Sequence, residues 1–194
     1  MHCENTQLYK GGGPHLENLN VVKIPVPGDG NCYFHSIMLG TVIDYIENPH
    51  MRNAYAISFR HKLADFLTEV DEEGRTNYSK LSRGEIEEYS KHVPAFSLPN
   101  LYRLLKSNSC VGQEVLEASS NFLDVNIIIW DEKKKDVYRH GDKELLYKPE
   151  RSTVILTYKP IHYDLLGTKC PISGKIFTHF THENHFVQKI LEIW

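Results

Sequence analysis

The chain has 194 residues, with 41% hydrophobic and 24% charged side chains and a formal net charge of -3. That length suits one domain, and the composition supports one core without bulk disorder. The acidic balance argues against a general nucleic-acid binder, and no window approaches the ~18 apolar residues of a membrane span.

The start, Met1-His2-Cys3-Glu4-Asn5, has neither a basic head nor an apolar run, so it does not read as a secretory signal. Cysteines stand at 3, 32, 110 and 170 with no C-x-x-C pair. Free thiols in a reducing, cytoplasmic compartment are the expectation.

Residues 1–20 are polar and contain Gly11-Gly12-Gly13-Pro14, which predicts a loosely held arm. Val21 to Val26 predicts a short or edge strand, because Pro25 interrupts it. Pro27-Gly28-Asp29-Gly30-Asn31 is a dense turn signal that runs into the helical composition of Cys32 to Leu39. Residues 51–69 give the clearest helix. Ala54, Ile57, Ala64 and Leu67 form its predicted apolar stripe, widened by Tyr55, Phe59, Leu63 and Phe66. Ser82-Arg83-Gly84-Glu85 reads as a capping box opening a helix to about Lys91. Ser97 to Lys106 and Gln113 to Phe122 are two more predicted helices.

The texture then changes. Asn126-Ile127-Ile128-Ile129-Trp130 and Thr153 to Tyr158 are buried-strand patterns, and Val137-Tyr138 suggests a returning strand. His162 to Leu166 follows Tyr158 after three residues, as in a hairpin. Lys175 to Phe180 and His185 to Ile193 are read as a further strand pair. Helices first and strands last imply an α+β fold.

The turn 28–32 carries the chemistry. It delivers Cys32 to the first turn of a helix, where unpaired N–H groups and the positive dipole end favour a thiolate. The same N–H groups can face an oxyanion. The bland alternative is an ordinary turn followed by a buried cysteine. Two histidines compete as the base. His162 begins a predicted strand and shares its face with Asp164 two residues on, which completes Cys–His–Asp. His185 has Val187 at the matching place and needs an acid from elsewhere. A zinc site from Cys170, His179, His182 and His185 fits poorly, because the spacing is H-x2-H-x2-H without paired cysteines. Lys133-Lys134-Lys135 reads as a solvated turn tip, and Ser36 and Trp130 as packing.

Pro27 to Ile37 (PGDGNCYFHSI) resembles the nucleophile motif of the ovarian-tumour (OTU) cysteine proteases, which are deubiquitinases. Val115 to Ser119 with Asn126 to Trp130, and Ile155 to Asp164, resemble the family's next helix and strand and its catalytic His segment. The flavour is that of the viral OTU domains of nairovirus polymerase proteins. The resemblance covers roughly residues 21–166. Cys110-Val111-Gly112 stands where the family often has Trp-Gly.

The resemblance implies a single papain-like α+β domain over residues 21–194, in which a helical part packs on a twisted, mostly antiparallel sheet. Residues 167–194 form a C-terminal β extension that it does not explain. It implies Cys32 as nucleophile, His162 as base, Asp164 as its orienting acid and Asp29 as shaping the oxyanion site. The backbone N–H groups of Gly30, Asn31 and Cys32 are the implied oxyanion donors, and His185 is the alternative base. No cofactor or metal is needed. Conjugates of ubiquitin or a related modifier are the implied partners, met by a monomer in the cytoplasm, or the host cytoplasm for a virus or effector. The rivals are a catalytically silent ubiquitin-binding module and a zinc-stabilised interaction domain.

Overall fold

The computed structural model describes residues 7–9, 16, 18–138 and 141–194. Cys3 and the Gly11-Gly12-Gly13-Pro14 segment lie outside the described residues. In chain order the strands and α-helices are β1 (Gln7–Leu8), β2 (Val21–Ile24), α1 (Cys32–Thr41), α2 (Ile43–Glu47), α3 (Arg52–Thr68), α4 (Glu85–Ser90), α5 (Leu98–Lys106), α6 (Leu116–Leu123), β3 (Asn126–Asp131), β4 (Asp136–Val137), α7 (Lys143–Leu146), β5 (Thr153–Lys159), β6 (His162–Lys169), β7 (Ile176–Phe177) and α8 (His185–Ile193). The fold is α+β, as expected.

The sheet order is β1-β2-β6-β5-β3-β4, with β7 also on β6. Only the β3–β5 pair among these is parallel. The strands are apolar on both faces because both faces are covered. Ile127, Ile129, Val154, Leu156 and Leu165 join one core with Phe34, Leu63, Leu101 and Val115. Ile128, Trp130, Ile155 and Leu166 join a second core with Phe186, Val187, Ile190 and Leu191. Alternate residues of one strand thus serve two layers.

Several expectations need correction. His185 to Ile193 is a helix, not a strand. Asn184 accepts a hydrogen bond from the Phe186 N–H at 2.9 Å and caps it. The buried residues Phe186, Val187, Ile190 and Leu191 recur with helical period and seal the second face of the sheet. The segment 167–194 therefore covers the second face of the sheet with a helix, and is not a β appendage. Of the expected arm, Gln7–Leu8 pairs with β2, and Leu16 is buried in the second core. β2 is accordingly an inner strand.

The capping box does not form. Ser82 and Arg83 take positive φ, and both the N–H and the hydroxyl of Ser82 bind the Glu117 carboxylate, at 2.7 and 2.6 Å. Gly84 stands at the start of α4 instead. The buried stripe of α3 is Ala56, Phe59, Arg60, Leu63, Ala64 and Leu67. Ala54 is exposed, and an arginine occupies the stripe.

Candidate active site

The turn 28–31 is built for a close approach. Gly30 has φ +85°, and a Cβ there would lie 2.8 Å from the Asn108 carbonyl oxygen. Both facts require glycine. The turn ends at Cys32, the first residue of α1, as the sequence predicts.

Asp29 braces the turn from inside. Its Oδ1 accepts from the Asn31 N–H at 2.9 Å, and its Oδ2 meets His35 Nε2 at 3.0 Å. His35 Nδ1 in turn meets the Tyr45 hydroxyl at 2.7 Å. Partial burial raises the Asp29 pKa, but the bonds from His35 and the Asn31 N–H outweigh it and hold the carboxyl below its usual value. This chain revises one expectation. The Asn31 N–H, one of the three expected oxyanion donors, is committed to Asp29.

β5 and β6 form the hairpin that carries His162, with Lys159 opposite His162. The turn between them is Pro160-Ile161, with Ile161 at φ +60°. His162 Nε2 lies 2.9 Å from Asp164 Oδ1, so the i, i+2 geometry operates. The same Oδ1 accepts the Val26 N–H at 3.1 Å, while Lys23 and Lys159 approach Oδ2 at 3.9 and 4.0 Å. Asp164 is buried and held on every side. With Nε2 on Asp164, Nδ1 is the other end of the ring. It faces the nucleophile turn: a Cβ built on Gly28 would sit 3.7 Å from it.

Cys32 is 4% exposed. Burial pushes its thiol up, against the opposing pull of the Tyr163 and Tyr33 backbone N–H groups. Desolvation thus works against the thiolate that the start of a helix favours. Tyr163 and Tyr33 close the floor edge to face, with ring centroids 5.3 Å apart.

The structure does not bring His185 here. It starts α8 and lines a cavity with Lys169 and Cys170, at the other end of β6. The strand from His162 to Lys169 is roughly 23 Å long. The other C-terminal histidines have separate partners: His179 meets the Ser152 hydroxyl at 2.6 Å, and His182 the Tyr147 hydroxyl at 2.9 Å. Among the described residues no cluster of three His, Cys, Asp or Glu side chains could hold a metal ion. Sequence reasoning missed His35, Tyr45 and Arg60. The spacing of His35 from Asp29 was the available signal for the first.

No protein-family model and no curated protein matches the sequence. Solved structures do match. An OTU domain in complex with ubiquitin superposes with a TM-score of 0.51 and 16% identity, over 96% of this chain and 91% of that one. The OTUD1 OTU domain gives 0.50 and 14%, over 80% and 91%. The viral OTU protease of Dera Ghazi Khan virus gives 0.44 and 16%, over 85% and 96%. The chain therefore has the fold of OTU domains.

Proposed function

We propose that this protein is a thiol-dependent deubiquitinase. It hydrolyses the (iso)peptide bond at the C-terminal glycine of ubiquitin or a ubiquitin-like modifier. The observation that carries this reading is the pairing of His162 with Asp164 at 2.9 Å, its free Nδ1 turned to the glycine turn that presents Cys32. The shared fold with an OTU domain solved with ubiquitin supports this substrate class.

The raised thiol sets the order of events. Cys32 rests as a thiol, and His162 Nδ1 takes its proton as the sulfur attacks the scissile carbonyl. The tetrahedral oxyanion is received by the Gly30 and Cys32 N–H groups. The imidazolium then protonates the leaving amine, while Asp164 keeps the ring oriented and balances its charge. Water, deprotonated by the same imidazole, cleaves the thioester. A side-chain-free Gly-Gly tail suits a sulfur this enclosed.

The test is cleavage of a panel of di-ubiquitins and ubiquitin-like conjugates. Turnover by the native chain and none by Cys32→Ala is the expected result. Binding of ubiquitin without any turnover would identify a silent binding module instead.

A further inference from the structure

Arg60 breaks the apolar stripe of α3. It is 1% exposed, and among the described residues no carboxylate forms an ion pair with it. A buried cation persists only when its donors are satisfied. Here they go to neutral oxygens. Nη2 donates to the Leu104 carbonyl at 2.7 Å and the Ser109 carbonyl at 2.8 Å. Nε donates to the Leu105 carbonyl at 3.2 Å, and Nη1 to Asn31 Oδ1 at 2.9 Å. The guanidinium also lies over the Phe34 ring, 5.1 Å from its centroid.

Three of those bonds hold the end of α5 and the loop after it. The fourth reaches the residue before Cys32. The two segments meet, since the Asn108 carbonyl occupies the space a Cβ on Gly30 would need. One planar fork therefore ties the nucleophile turn to the wall beside it.

We propose that Arg60 is a positioning residue for the nucleophile turn, acting through the Asn31 side chain. The proposal rests on the deubiquitinase reading above. Asn31 is fixed at two points, its N–H by Asp29 and its Oδ1 by Arg60. Holding Asn31 at both points restrains the peptide unit that follows it, so the Cys32 N–H stays aimed where the oxyanion forms. Donors held in advance need no reorganisation during reaction. A lysine cannot replace the fork, because one ammonium does not span acceptors on two segments.

The experiment pairs steady-state kinetics on a ubiquitin conjugate with iodoacetamide alkylation of Cys32 against pH, which needs no ubiquitin. Asn31→Ala removes only the link and leaves the three carbonyl bonds of Arg60. Its kcat should fall about tenfold to a hundredfold, with KM within about twofold. Arg60→Met should lose as much, the double variant no more, and Arg60→Lys should recover only part. The pH midpoint of Cys32 alkylation should rise in Asn31→Ala, because a loosened turn lets the sulfur drift from the Tyr163 and Tyr33 N–H groups that pull its pKa down. Additive losses, or an Asn31→Ala enzyme with native kcat and native midpoint, would overturn the proposal. If Arg60→Met does not fold, Asn31→Ala alone decides. If the native chain cleaves nothing, the deubiquitinase reading fails, and the alkylation midpoint still tests the link.

Discussion

Two glycine turns flank β6, and each presents a cysteine. Residues 28–31 meet its first residue, His162, and hold Cys32; residues 170–174 follow its last, Lys169, and begin with Cys170. Both contain a glycine at positive φ, Gly30 at +85° and Gly174 at +68°. Their thiols are shifted in opposite directions. Burial raises Cys32, whereas the Ser173 hydroxyl and the N–H groups of Ser173 and Ile172 lower Cys170. Cys170 also shares a cavity with a histidine, His185. What its turn lacks is the second half of the device. Among the described residues no carboxylate hydrogen-bonds His185, while His162 is locked by Asp164. Ease of ionisation does not make a nucleophile; an oriented imidazole within reach does.

The comparison breaks most sharply at the reacting groups. Cys32→Ala and His162→Ala should each lower cleavage of a ubiquitin conjugate by about 10³-fold or more, read as kcat/KM. Cleavage that survives His162→Ala and dies in His185→Ala would reverse the assignment of the two turns. Asp164→Asn should cost at least about a hundredfold in kcat, because the ring loses its orientation and its counter-charge. A native rate in that variant would remove Asp164 from the site.

A smaller effect separates the two covered faces of the sheet. Asn184→Ala removes the cap of α8 and should cost about 1 kcal/mol of stability by denaturant unfolding, with kcat unchanged. The smallest effects fall on the decoy turn. Cys170→Ser and His185→Ala should leave turnover within about twofold, as substitutions outside the reacting groups do.

The sequence made one half of this molecule readable. The turn 28–32, the long helix of α3 and the β5–β6 hairpin are local signals, set by glycine, by helical period and by alternation. The i, i+2 pairing of His162 and Asp164 follows from strand geometry alone. The other half depends on what packs against what. Nothing in the period of α3 singles out Arg60, since a charge on a helix usually faces water, and only the carbonyls of residues 104–109 reveal why it is inside. The period of Phe186, Val187, Ile190 and Leu191 was present in α8, but short apolar pairs also suit a strand. The raised Cys32 thiol was unreadable for a related reason. Helix position is local, whereas the burial that opposes it comes from tertiary packing into the first core.

The most direct measurement is competitive labelling of the free cysteines, mapped by peptide mass. With small iodoacetamide near neutral pH, Cys170 should react well ahead of Cys32, since the first thiol is lowered and the second raised. With ubiquitin carrying a C-terminal alkyne electrophile, the order should invert to one adduct on Cys32 and none on Cys170. An adduct on Cys170, or no adduct at all, would contradict the assignment of the site.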